Sequence, residues 1–285
     1  MTSNVSIAEA INNGTARLHS GGAGNSNSDS PRLDSQLILA QLLNCNRAWL
    51  IAHSDDMLNE QQHSAYLANI EKRTAGIPVA YILGEQEFWS LSFRVTEAVL
   101  IPRPETELLV EEVLSLHPNR AIQIADLGTG TGAIAIALAL ENENDSIIAV
   151  DRSIAAIRVA AENRQSLGAH NVSLCVGSWL SGFAPASLDI VVSNPPYIAA
   201  ADEHLPALKY EPTEALVSGI DGLDDIKKII SCGITTLKPG GLIAIEHGYN
   251  QQVAIMDLML QAGYRNIVGK QDLADQPRIT IAERP

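Results

Sequence analysis

Two short segments of this chain carry residue types that chemistry can use. Residues 125 to 137 read ADLGTGTGAIAIA and set Gly128, Gly130 and Gly132 between a buried apolar run and a helical one. Glycines there let the chain turn sharply and bring its backbone up to a ligand with no Cβ in the way. A turn between strand and helix is also where ligands collect in open α/β sheets. Asp151 closes the next apolar run, nineteen residues past Gly132, where a carboxylate can accept hydrogen bonds from both hydroxyls of a ribose. The same glycines satisfy a looser dinucleotide pattern, with Ala133 in its third position. Asp126, just ahead of the turn, argues against that pattern. An acid there suits an ammonium group and would be unwelcome beside a pyrophosphate. The expected ligand is S-adenosyl-L-methionine.

The second segment is SNPPYI, residues 193 to 198, at the end of another apolar run. Two consecutive prolines cannot continue a central strand, because each lacks a ladder donor. They stiffen the backbone where the sheet opens to ligands and restrict Asn194 to an extended conformation. The composition suits a planar nitrogen whose lone pair is delocalised and which is therefore a poor nucleophile. Asn194 Oδ1 and the Pro195 carbonyl can each accept one of its two N–H bonds, so that the lone pair is aimed at a sulfonium methyl. Pro196 stiffens the loop and Tyr197 can stack on the planar group. Positioning and fixed dipoles then supply most of the acceleration, and no metal is expected because the cofactor carries the reactive group.

These segments need a scaffold. From Leu100 onward strands alternate with helices: AIQIADLG, SIIAVDR, VSLCVGS, LDIVVSN, GGLIAIEHG, NIVGK and RITIAE read as seven strands, with helical runs between most of them. Repeating βα units predict a doubly wound, mostly parallel seven-stranded sheet covered by helices on both faces. Residues 1–80 read instead as helices, around Val5–Leu18, behind Pro31 and over Glu60–Thr74, and carry no chemistry-bearing cluster. EFWSLSFRV, within residues 81–100, reads as a hairpin linker, and residues 101–285 as the catalytic domain. The Gly/Asn/Ser-rich stretch from Gly21 to Ser30 predicts a mobile connection between the first helices.

Composition narrows the partners. The 285 residues carry a formal net charge of −14 and no Lys/Arg cluster, which weighs against stable nucleic-acid binding. Three widely spaced cysteines with no CxxC pair suit reduced thiols and offer no metal site. The first residues lack a basic n-region and an apolar h-region, and no run is long enough to span a bilayer. A cytoplasmic protein that makes no membrane contact is expected.

Taken together, GEQEFWSL, LIPRPETELLVE, DLGTGTGAIAIALA, AVDRS, VSNPPYI, YEPTEAL and IEHG closely resemble the release-factor glutamine N5-methyltransferases, from about Pro31 to the C-terminus. IPRPETE combined with NPPY is the specific part, since NPPY and the Gly-rich turn recur in other amino-group methyltransferases. The resemblance implies a class I, Rossmann-like S-adenosyl-L-methionine-dependent fold behind a small N-terminal helical domain that helps recognise the substrate. It implies that the substrate is the glutamine of Gly-Gly-Gln in class 1 peptide chain release factors, with S-adenosyl-L-homocysteine as product. Gly128, Thr129, Gly130, Thr131, Gly132, Asp151, Trp179 and Asn194 match the family's cofactor-contact positions. Asn194, Pro195, Pro196 and Tyr197 match its substrate clamp. The chain departs from related enzymes in carrying Ser178 where many have an acid for the adenine amino group. Its Leu205–Tyr210 stretch is also shorter than in some members.

Other residues read either way. Arg103, Glu105 and Thr106 open a helix behind Pro102 and Pro104, as helix-start residues or as pocket lining. Glu246 and His247 end a strand on the ligand side, where a lone histidine is more often structural. Trp49 and Trp89 read as core or interdomain packing. Three rivals remain at this stage: an N6-adenine methyltransferase, which needs the same loop but must flip a base; a nucleotide-dependent oxidoreductase, which leaves NPPY unexplained; and a non-catalytic S-adenosyl-L-methionine-binding module.

Overall fold

The computed structural model describes residues 5–20, 30–117 and 120–285, and the chain divides into two compact units, Met1–Glu85 and Gln86–Pro285. In the first unit, strand β1 (Val5–Ser6) runs into helix α1 (Ile7–Ser20) and pairs with β2 (Met57–Leu58). Helices α2 (Pro31–Leu42), α3 (Arg47–Ala52), α4 (Glu60–Thr74) and α5 (Val79–Leu83) complete it. Ile7, Ile11 and Leu18 of α1 meet Ile38 and Leu39 of α2 and Tyr66 and Ile70 of α4 in a closed apolar core. Tyr66 keeps its hydroxyl satisfied inside by bonding Ser35 Oγ at 2.6 Å. Most of the Gly21 to Ser30 connection, residues 21–29, lies outside the described residues. Trp49, expected in a packed interior, is instead 39% exposed and stacks on His53 with ring centroids 4.0 Å apart. Its place on a six-residue helix leaves only Leu50 of that helix buried.

The second unit opens with strands β3 (Glu85–Phe88) and β4 (Leu91–Arg94), which pair across a two-residue connection. Both connecting residues, Trp89 and Ser90, have positive φ (53° and 58°), as a hairpin turn matched to strand twist requires. Helix α6 (Glu107–Ser115) follows a single 3₁₀ turn, Pro104–Thr106. Then come β5 (Gln123–Leu127), α7 (Ala133–Glu141), β6 (Ser146–Asp151), α8 (Ile154–Leu167), β7 (Val172–Val176), β8 (Leu188–Ser193), α9 (Asp224–Thr236), β9 (Leu237–Glu246), α10 (Gln252–Gln261), β10 (Arg265–Gln271) and β11 (Pro277–Glu283).

The seven strands from β5 onward form one sheet in the order β10-β11-β9-β8-β5-β6-β7. The pairs from β9 to β7 are parallel, and β11 runs antiparallel to both its neighbours. The predicted mostly parallel seven-stranded sheet is therefore present. Successive residues of a strand point to opposite faces, and the core divides accordingly. Ile124, Ile190, Val192 and Ala244 face one side with the apolar residues of α6 and α7. Ala125, Leu127, Val191, Ile243 and Ile245 face the other with those of α9 and α10. Strand order reverses between β5 and β8, so the connections leaving their carboxyl ends diverge and open a crevice there.

Candidate active site

Every segment singled out for its chemistry leaves the sheet at that carboxyl edge. The Gly-rich turn follows β5, Asp151 ends β6, Ser178 and Trp179 follow β7, Asn194 follows β8 and Glu246 ends β9.

Gly128, Gly130 and Gly132 all have positive φ (73°, 55° and 82°), a conformation that L side chains rarely adopt. The Trp179 ring packs over the turn at Gly128, at ordinary contact distance from where a Cβ would stand. Gly130 N donates to Asp151 Oδ2 at 3.0 Å and Ser153 N donates to Oδ1 at 2.8 Å. The two amides fix the plane of the Asp151 carboxylate. Asp151, Gly128, Gly130, Trp179 and Asn194 all line one cavity.

The structure places Asp126 differently from the sequence expectation. Its side chain is fully buried beneath the turn, outside the lining of that cavity. Its Oδ2 accepts from Thr129 Oγ1 at 2.6 Å and from Ala135 N at 3.3 Å, tying the turn to the start of α7, while Oδ1 has no partner. Burial pushes its carboxyl up to about 7, against the Thr129 bond. A residue on the helix-covered face of β5 points under the turn, which is why it serves as an anchor. Thr129 and Thr131 are likewise buried, and Gly132 backs onto Ala160 of α8. Around Ser178 the cavity does hold a carboxylate, supplied by Asp225 of α9. Burial works to raise the Asp225 acid, but Lys228, Ser218 and the Trp179 indole hold it below the usual range.

A second cavity lies beside the first, lined by Pro195, Tyr197, Arg103, Glu105, Glu246 and Arg278 among others. Asn194 lines both. Pro196 lines the first and Leu208, in the 3₁₀ turn Leu205–Leu208, lines the second. The loop is braced from behind: Gln251 Nε2 donates to the Tyr197 carbonyl at 3.0 Å and Gly248 N donates to Gln251 Oε1 at 2.9 Å. The IPRPETE segment is pinned by Glu211, which accepts from Ile101 N at 3.2 Å and pairs with Arg103.

Asn194 Nδ2 donates to Thr106 Oγ1 at 3.0 Å. Beside that pair stands Glu246, 2% exposed, with Oε2 unpartnered. Burial pushes its carboxyl up to about 7, opposed by Thr106, Arg278 and Asn194. His247 is buried on Thr280 and the Gly248 carbonyl, and burial lowers its basicity. That is the structural reading of this histidine. Sequence reasoning left Thr106 and Glu246 unassigned and missed Asp225, Glu211 and Gln251. Of these last three only Glu211, inside YEPTEAL, carried a signal. Among the described residues, no group of three or more His, Cys, Asp or Glu could hold a metal ion, and no helix is long and apolar enough to cross a membrane.

A family model described as the PrmC N-terminal domain matches residues 9–84, and one described as a methyltransferase domain matches residues 118–274. The chain is similar to the release factor glutamine methyltransferase of Coxiella burnetii, with 43% identity over 258 residues, 90% of this chain and 93% of that one. The enzyme of the same name from Escherichia coli K12 is 39% identical over 256 residues, covering 89% and 92%. Among solved structures, a methyltransferase from Pyrococcus furiosus shares the fold, with a TM-score of 0.53 at 17% identity over 78% of this chain and 98% of that one.

Proposed function

The chain belongs to the release factor glutamine methyltransferase family, and from that premise we infer its reaction. It transfers the methyl group of S-adenosyl-L-methionine to the side-chain amide nitrogen, N5, of the glutamine in the Gly-Gly-Gln motif of class 1 peptide chain release factors. The by-product is S-adenosyl-L-homocysteine. The observation that supports this most is the position of Asn194 in the common wall of two cavities. A methyl transfer needs a donor pocket and an acceptor pocket that meet at one point, and the polar side chain at that point should hold the nitrogen.

In the donor cavity Asp151 holds the ribose. A carboxylate offers about four lone-pair sites; the Gly130 and Ser153 amides take two, leaving one on each oxygen for the two hydroxyls. The Gly128 backbone and the Trp179 ring shape the floor, and Asp126, Thr129, Thr131 and Gly132 keep the turn in place from below. Bound S-adenosyl-L-methionine supplies an electrophilic methyl, so no side chain forms a covalent bond to substrate.

In the acceptor cavity Asn194 Oδ1 and the Pro195 carbonyl each accept one N–H of the glutamine amide, and Tyr197 lies against its plane. The nitrogen is held with its lone pair toward the donor cavity. It gains the methyl and releases one proton to water, while the breaking C–S bond leaves its electron pair on sulfur. This work is positional and electrostatic. The helical unit that the sequence places at residues 1–80 supplies release-factor recognition. A cytoplasmic location and no stable nucleic-acid binding belong to the same reading, in keeping with the net charge of −14.

The test uses labelled methyl donor with two release factors, one natural and one with the Gly-Gly-Gln glutamine replaced. Label on the first and none on the second is expected. Label on both, or transfer to DNA with none to either factor, would overturn the assignment.

A further inference from the structure

Glu246 and Thr106 are 140 positions apart, and neither is needed to hold cofactor or glutamine in the account above. Both are nevertheless buried, at 2% and 5% exposure, against the one amide that separates the cavities. An asparagine amide can sit in its slot either way round, and only one orientation turns an acceptor toward an incoming N–H. The reason for the observed orientation lies in hydrogen-bond direction.

Thr106 has one proton and an oxygen that can also accept. That oxygen accepts from Asn194 Nδ2 at 3.0 Å, so its own proton is free to point elsewhere. Glu246 stands against both Thr106 and Asn194, and an ionised carboxylate can only accept. Thr106 then donates to Glu246 and accepts from Asn194, whose amide N–H is also drawn toward that carboxylate. The Asn194 NH₂ is thereby turned inward and Oδ1 is left for the acceptor cavity.

We propose that Thr106 and Glu246 are positioning residues that lock the Asn194 side chain with its oxygen toward the substrate amide, with ionised Glu246 setting the direction of the chain of bonds. The proposal rests on the glutamine-clamp reading given above. A protonated Glu246 can donate to Thr106, freeing the Thr106 proton to turn toward Asn194. That arrangement selects the flipped amide, whose NH₂ would oppose the N–H bonds of the substrate. Transfer should therefore depend on the Glu246 carboxylate, which burial pushes up to about 7.

The charged and titratable groups facing this carboxylate are Arg278 from β11, Glu105 from the 3₁₀ turn and Tyr197 beyond Asn194. Arg103 shares the cavity wall and His247 follows in the chain. Glu105 favours the protonated form and Arg278 the ionised one. Burial lowers the basicity of His247, whose ring is engaged by Thr280 and the Gly248 carbonyl.

The experiment measures single-turnover transfer to a release factor, S-adenosyl-L-methionine affinity and the pH profile in four full-length proteins: wild type, Thr106→Val, Thr106→Ser and Glu246→Gln. Valine keeps the shape but neither donates nor accepts, so the rate should fall about tenfold or more at unchanged cofactor affinity, the loss expected when a hydrogen bond to a charged chain is removed. Serine restores the hydroxyl and should recover most of the rate. The wild-type rate should fall as pH drops through the Glu246 transition, and Glu246→Gln should lose that inflection. Thr106→Val at the wild-type rate, or a wild-type inflection retained in Glu246→Gln, would overturn the proposal. A wild-type protein that leaves release factor unmodified would instead sink the functional assignment, so the two failures are distinct.

Discussion

At the scale of single residues, the two aspartates flanking the Gly-rich turn have opposite fates. Asp126 stands just ahead of the turn and Asp151 closes the next apolar run, and the sequence assigns both to the cofactor. The strand register separates them: Asp151 ends β6 and reaches the cavity, whereas Asp126 lies within β5 on the face covered by α7. That Asp151, Asn194 and Tyr197 would line the crevice was legible from their types at strand ends. Thr106 and Glu246 were not, since their meaning depends on β9 lying beside β8 and on the 3₁₀ turn that brings Thr106 onto Asn194. Removing the ribose anchor tests the residue-level reading. In Asp151→Ala, loss of charged hydrogen bonds worth about 1.5–3 kcal/mol should lower S-adenosyl-L-methionine affinity roughly ten- to a hundredfold in calorimetry. Unchanged affinity in a folded variant would place the ribose elsewhere.

At the scale of elements, the long periodic segments were readable and the short ones were not. The seven strands of the sheet and α4, α8, α9 and α10 fall where hydrophobic spacing puts them. Helices α3 and α5 have only six and five residues, too few for a period to show. Their ends did carry local signals: Asn46 caps α3 by accepting from Trp49 N, and Gly84 closes α5 at φ 76°. The turn between β5 and α7 gives an element-scale prediction through Asp126. Its carboxyl rises from 3.8 to about 7 on folding, so between those values the folded state binds more protons than the unfolded. The stability this group contributes is complete below the lower value and is lost as pH rises through the higher one. Asp126→Asn can keep both bonds made by Oδ2 and cannot titrate. Without cofactor, its melting temperature relative to wild type should rise as pH increases across that window. A difference that stays flat with pH would show that Asp126 is not forced to ionise under the turn.

At the scale of the whole molecule, the larger unit joins two cavities along a wall shared by Leu100, Asn194 and Ala215, and the proposed chemistry depends on the one polar side chain there, Asn194. Donor-side residues come from β5, β6 and the loop after β7, acceptor-side residues from the 3₁₀ turn before α6 and from β9 and β11, and the β8 loop belongs to both. No stretch of sequence contains this arrangement. It follows from the reversal of strand order between β5 and β8, which the alternation of strands and helices implies only in outline. The measurement that tests the junction most directly is single-turnover methyl transfer to a release factor by Asn194→Ala, with cofactor affinity measured on the same preparation. The account predicts a rate lowered by about a hundredfold or more, the usual cost of losing one preorganised polar contact at the reacting atom, at nearly unchanged affinity. Asn194→Asp, which keeps an acceptor oxygen, should transfer clearly faster than the alanine form. A near wild-type rate in Asn194→Ala would contradict the clamp.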